Sequence, residues 1–338
     1  MAARVTVIIP NWNGRELLGS CLGSLRGQRF EDFDTIVVDN GSTDGSLRMV
    51  AEDYPEVRIA SLVENRGFST AVNAGIRLSG AGLVALLNND TEQHPRWLAA
   101  LVEASEARPE AGFFASKLVS FSDRRFLDGA GDAPRLSGLP YRLGHGERDR
   151  GQFDAPAHVF GACGAAAMYR RSMLEEIGLF DEDFVSYCED GDLSFRAQLA
   201  GYKCLYVPDS VVYHMGGAST GGKKSATATR LGTRNSLNLL VKNLPLSGAP
   251  YVLPFLLLGQ LSRLVVMATS WDTLKAHLAG ISEARRQLPL MLEKRRRIQS
   301  ARKISSVEVW HLFKASSLAA TASIARRLRD GFLSRIGR

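Results

Sequence analysis

Apolar runs alternate with segments of helical spacing along the first third of the chain. Residues 5–10 and 34–39 are rich in β-branched side chains, and residues 57–60 form a weaker run of the same kind. Between them, residues 17–25 and 47–50 place leucine and valine at helical intervals. The alternation of strand and helix predicts a parallel sheet with right-handed crossovers.

A fourth apolar run, residues 83–87, ends abruptly in Asn88-Asn89-Asp90. Five consecutive apolar residues are typical of a central strand that is buried on both faces. Open α/β sheets bind ligands beyond the carboxyl ends of their strands, so an aspartate there suits a hard cation or the edge of a phosphate. The alternative is a polar strand exit in which Asn and Asp only serve the turn.

The loops after the first two strands favour a pyrimidine nucleotide. Neither Gly-x-Gly-x-x-Gly nor Gly-x-x-x-x-Gly-Lys-Ser/Thr is present, so both common phosphate-binding loops are excluded. Asn11 and Asn13 follow the first strand, and Asp39 ends the second. An aspartate can accept a hydrogen bond from a pyrimidine N–H, and asparagine amides can donate to the ring carbonyls.

A cluster of three carboxylates, Glu189, Asp190 and Asp192, stands among apolar neighbours. The pattern predicts the start of a half-buried helix, where the helix dipole favours acidic side chains. Partial desolvation raises the pKa of at least one of them, as a general base requires. The alternative is a solvated acidic turn with a capping aspartate. His214 follows an apolar run, where a single histidine is more often structural than a ligand.

Taken together, these segments resemble family 2 inverting glycosyltransferases, in particular the rhamnosyltransferase and galactofuranosyltransferase-like branch. The matching stretches, in the order of the family, are residues 7–14, 36–46, 64–76, 86–91, 160–171 and 178–217. The resemblance implies the α/β GT-A fold of nucleotide-diphospho-sugar transferases, with a mostly parallel central sheet flanked by helices. The catalytic domain would span residues 1–244, with a donor half at about 1–91 and an acceptor half at about 92–217.

The resemblance also implies roles for individual residues. The nucleotide sugar would be bound by Pro10, Asn11, Asn13, Asp39, Asn65, Gly67, Asn73, Asn88, Asn89 and Asp90. Asp90 and His214 would hold Mg²⁺ or Mn²⁺. Asn88 stands where many relatives have the first Asp of an Asp-x-Asp motif, and an amide oxygen is a weaker ligand for such a cation. Asp190 would be the catalytic base, and Glu189 would orient the site.

The reaction implied by the resemblance is transfer of a sugar to a hydroxyl group with inversion. The first expectation is L-rhamnose from dTDP-rhamnose, with a cell-surface glycan or a lipid-linked molecule as the acceptor. A UDP-linked galactofuranose, glucose or galactose is the alternative donor. From another class, a catalytically inactive sugar-nucleotide-binding scaffold is a further alternative, although the presence of Asp90, Asp190 and His214 favours an enzyme.

Three further segments are predicted near the site. Residues 128–157 are rich in Gly, Arg and Asp and are expected to form a long loop or small excursion, which the resemblance places near the acceptor. Residues 160–167 predict a small-residue strand that lets a sugar approach closely, or alternatively packs tightly against a helix. Residues 218–225 are cationic and predict either a lid over the diphosphate or a plain surface loop.

The net charge of +7 is concentrated after residue 244, where sixteen Lys and Arg stand against five Asp and Glu. Such a basic end favours an anionic surface. Residues 251–271 are long and apolar enough to span a bilayer, but Pro254, Gln260 and Arg263 interrupt them, and a mid-span arginine is costly.

We therefore predict a helical, basic region, residues 245–338, that lies on an anionic membrane surface. Residues 294–297 and 302–303 would face the lipid headgroups, as would an amphipathic tail over residues 318–336 that includes Arg326, Arg327, Arg329 and Arg335. The alternative is a helical dimerisation domain, which would make the protein a homodimer. No nucleic-acid partner is expected, because no motif for one is present.

The remaining composition indicates a cytoplasmic enzyme at the inner face of the plasma membrane. Residues 1–4 lead directly into the first strand, so no signal peptide is expected. The four cysteines lack metal-ligand spacing and stand among apolar neighbours, which predicts buried thiols.

Overall fold

The structure is a computed structural model that describes residues 3–216 and 225–336, without the side chains of residues 248–252 and 331–336. The predicted cationic lid at residues 218–225 therefore lies almost wholly outside the described residues. The same holds for Gly217, at the end of the last matching stretch, and for the side chain of Arg335 in the predicted tail.

Twelve strands occur in the described residues. They are β1 (Val5–Asn11), β2 (Phe33–Asn40), β3 (Arg58–Leu62), β4 (Leu83–Leu87), β5 (Thr91–Gln93), β6 (Ala111–Ser120), β7 (Leu127–Gly129), β8 (Asp132–Pro134), β9 (Pro140–Arg142), β10 (Ala157–Val159), β11 (Ala166–Arg170) and β12 (Lys203–His214).

Ten α-helices accompany these strands in the same part of the chain. They are α1 (Arg15–Arg26), α2 (Ser46–Asp53), α3 (Phe68–Leu78), α4 (Trp97–Ala107), α5 (Arg171–Ile177), α6 (Glu189–Leu199), α7 (Ala226–Asn243), α8 (Ala249–Met267), α9 (Trp271–Ser300) and α10 (Ser306–Ile336). Short 3-10 turns cover Glu182–Phe184 and Leu246–Gly248.

One mixed sheet of ten strands runs through the molecule in the order β10-β12-β6-β11-β4-β1-β2-β3, with β5 paired to β12 and β7 to β6. Strands β3, β2, β1 and β4 are parallel to one another. Strand β11 runs antiparallel between β4 and β6, and β6 is again parallel to β12. The predicted α/β fold with a mostly parallel central sheet is confirmed.

Alternate side chains of the central strands enter two separate hydrophobic cores. Val7 and Ile9 of β1 pack with Leu18 and Trp97 on one face, whereas Ile8 packs with Ile76 on the other. Burying an aliphatic side chain of this size contributes about 1.5–3 kcal/mol. Because β1 and β4 are covered on both faces, their carboxyl ends hold the polar residues that follow in fixed positions.

The prediction of a strand over residues 160–167 is wrong for most of that range. Strand β10 ends at Val159, β11 begins only at Ala166, and the segment between them crosses beneath α6. A Cβ at Gly161 would lie 2.6 Å from the Oγ of Ser194 on α6. The small residues here serve close packing against a helix rather than a strand.

The basic C-terminal region is held against the catalytic half by buried acids. Lys294 Nζ lies 2.5 Å from Asp181 Oδ1, and Arg326 Nε lies 2.6 Å from an oxygen of the fully buried Glu147. Arg295 donates to the backbone carbonyl of Val241 at 2.7 Å. The prediction that these three cations face lipid headgroups is wrong, because each of them binds an acidic side chain or a backbone carbonyl of the protein itself.

Helix α8 presents an apolar face that the described residues leave uncovered. Leu257, Leu258, Leu261 and Val265 are all exposed on it. No helix in the described part of the chain is long and apolar enough to cross a membrane. Helix α7, which lies within the predicted catalytic domain, packs along α9 of the predicted appendage. The predicted boundary at residue 244 falls between α7 and α8, and both of these helices contact α9.

Candidate active site

One cavity of about 880 Å³ opens where the carboxyl ends of β1 and β4 meet the start of α6, the β8–β9 hairpin and helices α7 and α8. It brings together ten of the thirteen residues predicted for the site, namely Pro10, Asn11, Asn65, Gly67, Asn88, Asn89, Asp90, Glu189, Asp190 and His214. Asn13, Asp39 and Asn73 do not line it.

A hydrogen-bond network connects the ends of β1, β2 and β4. Asn89 Nδ2 donates to Asn11 Oδ1 at 2.8 Å, and Asn11 Nδ2 lies 3.4 Å from Asp39 Oδ1. Asp39 is buried behind Asn11, where its other oxygen accepts the backbone N–H of Ser42 at 2.9 Å. Asn13 Oδ1 accepts the N–H of Thr43 at 2.8 Å, so this side chain braces the neighbouring loop.

Asn40, which was not predicted, positions two of the predicted residues. Its Nδ2 donates to Asn65 Oδ1 at 3.0 Å and to the carbonyl of Gly67 at 3.1 Å. Gly67 has a φ of 86°, and a Cβ there would lie 2.7 Å from the carbonyl oxygen of Val185. Only glycine therefore allows the donor-side loop to touch the segment that precedes α6.

Asn73 lies away from the cavity and has structural partners. Its Nδ2 donates to the carbonyl of Phe180 at 2.8 Å and to Glu182 at 2.9 Å, and its Oδ1 accepts the N–H of Phe180 at 3.0 Å. Both ends of the amide are occupied by this loop. The position of Asn73 therefore offers no contact with a nucleotide sugar in the cavity.

His214 lies between two buried aspartates. Its Nε2 is 3.4 Å from Asp90 Oδ1, and its Nδ1 is 2.7 Å from Asp128 Oδ2. Burial alone would lower the pKa of His214, but the hydrogen bonds to Asp128 and Asp90 outweigh burial and raise it. Asp128 was not predicted for the site, and the only signal for it in the sequence is its place in the Gly- and Arg-rich excursion.

The Asp128–His214–Asp90 arrangement fits a divalent cation. A histidine that ligates a metal usually donates its other ring N–H to a carboxylate, which fixes the tautomer and orientation of the ring. Donation from Nδ1 to Asp128 leaves Nε2, on the Asp90 side, as the nitrogen able to ligate. Asp128 also meets Arg142 at 2.7 Å, and although its burial favours the neutral acid, His145, His214 and Arg142 hold its pKa far below the usual range.

Two backbone N–H groups hold the predicted base, Asp190, at the start of α6. Asp190 Oδ2 accepts from Gly164 at 3.1 Å, and Oδ1 accepts from Gly191 at 2.7 Å. The neighbouring Glu189 is buried, and its Oε2 has no hydrogen-bond partner among the described residues. Burial, reinforced by the charge of Asp190, raises the pKa of Glu189 well above its usual value. The raised pKa of Glu189 favours its neutral form, whereas two backbone N–H groups hold the carboxylate of Asp190, so Asp190 is the candidate base of the pair.

The third acid of the cluster, Asp192, points away from the cavity. Its oxygens meet Arg196 at 2.9 Å, Lys242 at 2.8 Å and Asn243 Nδ2 at 2.8 Å. Although burial alone would raise the pKa of Asp192, these partners lower it far below the usual range. Asp192 thus joins α6 to α7 and has a structural position.

The segment just before α6 has an unusual backbone. Val185, Tyr187 and Cys188 all have positive φ values, of 64°, 71° and 66°. Such a conformation in a non-glycine residue costs about 1–3 kcal/mol and persists only where the surroundings enforce it. The strain lies directly beside Asp190, at the position where the direction of its side chain is set.

Helix α7 supplies the groups that enforce this backbone. Asn235 Nδ2 donates to the carbonyls of Phe184, Ser186 and Tyr187 at 2.8, 2.9 and 2.8 Å, and Arg234 Nη2 donates to that of Phe184 at 2.9 Å. Neither residue was predicted for the site. The available signal is an Arg-Asn pair in the middle of an amphipathic helix, where buried polar side chains need partners.

A second carboxylate, Asp132 of β8, lies close to Asp190. Ligand atoms of Asp132, Cys163 and Asp190 fall within 4.8 Å of one another, and Arg142 Nη2 lies 2.8 Å from Cys163 Sγ. Burial, opposed by Arg142 and reinforced by Asp190, raises the pKa of Asp132 to about 7. The adjacent guanidinium of Arg142 disfavours a cation at this cluster. We therefore interpret Asp132 as a group that exchanges a proton near neutral pH.

The sequence matches a known family of enzymes. The family model described as Glycosyl transferase family 2 matches residues 6–178, about half of the chain. The chain belongs to this family. The prediction of a family 2 glycosyltransferase of the rhamnosyltransferase-like branch is confirmed, and the protein is a glycosyltransferase.

Relatives and solved structures agree with this membership. The chain is 30% identical over 224 residues to N-acetylglucosaminyl-diphospho-decaprenol L-rhamnosyltransferase of Mycobacterium tuberculosis, which covers 59% of this chain and 72% of that protein. GalNAc-T7 with UDP, GalNAc and Mn²⁺ has a TM-score of 0.58 at 18% identity, covering 71% of this chain and 48% of the other. The Pyrobaculum calidifontis mannosyltransferase PcManGT with GDP-Man and Mn²⁺ has a TM-score of 0.50 at 19% identity, covering 98% and 88%. These solved structures establish the GT-A fold of this glycosyltransferase.

Proposed function

We propose that this glycosyltransferase moves L-rhamnose from dTDP-L-rhamnose to a hydroxyl group of a lipid-linked glycan, with inversion and with the help of a divalent cation. The observation that carries the proposal is the single cavity lined by Asp90 and His214 as well as by Asp190. A metal-supported diphosphate and an acceptor base would thereby share the same space. The mycobacterial relative, whose name specifies L-rhamnose transfer to a diphospho-decaprenol acceptor, supports the choice of sugar and acceptor.

The donor would lie across the ends of β1, β2 and β4. Asp39 and the amide of Asn11 form one continuous network there, and Asn89 joins it from β4. Amides with a buried carboxylate behind them suit a uracil or thymine ring, which presents both carbonyls and an N–H. A UDP-linked sugar is therefore the alternative donor.

Asp90 and His214 would hold Mg²⁺ or Mn²⁺, with Asp128 orienting the imidazole. When bound, the cation stabilises the negative charge that develops on the departing diphosphate. Asn88 is half-buried at the edge of the cavity and offers an amide oxygen to the cation or to the ribose. Two solved relatives of the fold contain Mn²⁺, which supports a divalent cation in this position.

Asp190 would accept the proton of the acceptor hydroxyl as that oxygen attacks the anomeric carbon. The N–H groups of Gly164 and Gly191 fix the carboxylate, and the brace from α7 fixes the segment before it. One displacement from the face opposite the diphosphate inverts the anomeric configuration. General-base catalysis accounts for about 10²–10⁴-fold of the rate, and positioning supplies much of the remainder.

The lipid-linked acceptor would reach the cavity from the side of α8. The exposed apolar face of that helix suits contact with a membrane, and the basic character of residues 245–338 suits anionic lipids. Arg296, which is exposed, remains available for this contact, whereas Lys294, Arg295 and Arg326 are not.

The experiment that tests the function is a transfer assay with a panel of donors. Purified protein is incubated with an N-acetylglucosaminyl-diphospho-lipid and with dTDP-rhamnose, UDP-galactofuranose, UDP-galactose, UDP-glucose or GDP-mannose, each with Mn²⁺ or with EDTA. We expect Mn²⁺-dependent transfer from dTDP-rhamnose alone. Transfer from a UDP-sugar would replace the donor, and folded protein that neither binds nor hydrolyses any donor would overturn the proposal in favour of an inactive scaffold.

A further inference from the structure

Two arginines line the cavity on the side remote from β1 and β4. Arg263 of α8 is half-buried, and its Nη1 donates to Ser236 Oγ at 2.8 Å. Arg135, at the start of the β8–β9 turn, has a buried Nε without a hydrogen-bond partner in the described part of the chain. Neither guanidinium forms an ion pair with a described carboxylate.

The third arginine of the cavity, Arg142, differs from these two because it has acidic partners. Arg142 is paired with Asp128 at 2.7 Å and lies near Asp132 at 3.7 Å. A guanidinium that is withdrawn from water without an acid nearby is costly, and burial accordingly lowers the pKa of Arg263. An anionic ligand in the cavity would supply the missing counter-charge.

The elements that carry Arg135 and Arg263 pack directly on each other. A Cβ at Gly259 of α8 would lie 2.5 Å from Ser137 Cβ, so the β8–β9 turn rests against this helix. Arg263 lies one helical turn beyond Gly259, and its Nη2 lies 3.8 Å from the position of a Cβ on Gly232 of α7. Both cations therefore border the part of the cavity enclosed by the turn, α7 and α8.

The charges at the two ends of the cavity are opposite. The end beneath β4 holds Asp90 with its histidine, and the end beneath α8 holds two unpaired guanidinium groups. The donor diphosphate would be neutralised by a cation at the first end. The second end can bind another anion directly, because guanidinium groups make bidentate, charge-assisted hydrogen bonds to phosphate.

We propose that Arg135 and Arg263 form an anion subsite for the diphosphate group of the lipid-linked acceptor. This inference rests on the proposed function for the identity of the acceptor. The exposed apolar side chains of α8, such as Leu261 and Val265, lie on the same helix as Arg263 and offer the lipid chain an apolar path out of the cavity. The acceptor sugar would then extend from the subsite toward Asp190.

A titration with inorganic pyrophosphate in EDTA tests the subsite without any transfer. Without a divalent cation the Asp90 end repels pyrophosphate, so binding reports the arginines. We expect Arg135→Gln and Arg263→Gln each to weaken binding about tenfold or more, as expected from loss of a charge-assisted hydrogen bond. Asp90→Asn should leave binding intact or strengthen it. Arg286→Gln on α9 removes an exposed arginine that has no ion-pair partner among the described residues, and it controls for the general basic charge.

No binding by the wild-type protein, or equal weakening by Arg286→Gln and Arg263→Gln, would overturn the subsite. Binding that requires Mn²⁺ and is lost in Asp90→Asn would assign the pyrophosphate to the donor site instead. The variants should fold, since removing a half-buried guanidinium that lacks an ion-pair partner should leave the thermal midpoint unchanged or raise it.

Two acceptor substrates then distinguish a failure of the subsite from a failure of the proposed function. We expect Arg263→Gln to raise the KM for a short-chain N-acetylglucosaminyl-diphospho-lipid about tenfold, and to leave that for a neutral alkyl N-acetylglucosaminide unchanged. Equal effects on both acceptors would contradict the subsite. If the wild-type protein uses neither acceptor while it hydrolyses the donor, the proposed acceptor is wrong, and the pyrophosphate titration still decides whether the arginines bind an anion.

Discussion

The two ends of the cavity are built in different ways. At the proposed donor end, Asn11 and Asp39 lie at the carboxyl ends of β1 and β2, and Asp90 comes shortly after β4, so the sheet sets their positions. At the acceptor end, Asp190 follows a strained segment that is held by Asn235, a residue of a different helix. The donor end is a property of strand order, whereas the acceptor end depends on tertiary contacts with the C-terminal helices.

This difference teaches where function is most easily lost. Under the proposed function, a change at the donor end would remove a contact with the nucleotide or the metal. A change in α7 would leave the donor contacts in place and displace the base. Binding and turnover should therefore respond to mutation in separable ways.

The largest effect is expected at the base itself. Asp190→Asn should lower kcat about 10²–10⁴-fold, because the amide cannot accept the acceptor proton, while the affinity for the donor stays unchanged. Glu189→Gln is the matched control, because burial raises the pKa of Glu189 well above its usual value and the amide keeps the shape of the neutral acid. Turnover assays with donor titrations distinguish the two. Near-normal kcat in a folded Asp190→Asn protein would remove Asp190 from its assigned role.

The next effect tests the brace on the acceptor side. Asn235→Ala should lower kcat about 10²-fold through misplacement of the base, with donor affinity retained. Asn238→Ala is its control on the same helix, because Asn238 is also buried but bonds to Gln287 of α9 at 2.6 Å. Both variants should lower the thermal midpoint, and only Asn235→Ala should lower kcat. An equal loss of kcat in both would make the brace purely structural.

A smaller effect is expected at the donor end. Asp128→Asn should raise the Mn²⁺ concentration needed for half-maximal activity about 10–100-fold, because the carboxylate orients His214 from behind. Saturating Mn²⁺ should restore most of kcat, which distinguishes loss of metal affinity from loss of chemistry. An unchanged metal requirement would indicate that His214 is not a ligand.

The smallest effect concerns pH. The pKa of Asp132 is raised to about 7, so the folded protein disfavours its ionised form. In the unfolded chain this carboxyl ionises at its ordinary pKa, whereas in the folded protein it stays neutral up to about pH 7. The free energy of unfolding of the wild type therefore falls as the pH rises from that ordinary pKa to about 7 and changes no further above it. Asp132→Asn should therefore gain thermal stability relative to the wild type between pH 4 and pH 7, with a constant difference above that. Parallel unfolding curves at all pH values would refute the raised pKa.

The donor half was accessible from the sequence because its signals are local. Apolar runs fix strands β1, β2 and β4, and the polar residues after them reach one sheet edge by the geometry of parallel strands. Asn73 shows the limit of that approach. Its place in the matching stretch 64–76 implied a contact with the nucleotide sugar, but its amide bonds to Phe180 and Glu182, more than a hundred residues later.

The acceptor half was less accessible because its partners are distant in sequence. Asp128 meets His214 across 86 positions, and Asn235 meets Phe184 across 51. No local pattern specifies such pairs. Composition was misleading at the C-terminus for the same reason, since a count of basic residues does not reveal that Glu147 and Asp181 are buried opposite two of them.

The most direct test of the central claim is the anomeric configuration of the product. The sugar transferred by the wild-type protein from its preferred donor should be characterised by NMR before and after transfer. A single displacement assisted by Asp190 predicts that the configuration at the anomeric carbon is inverted relative to the donor. Retention of configuration would contradict the account, because it requires a second displacement or an attack from the face of the leaving diphosphate.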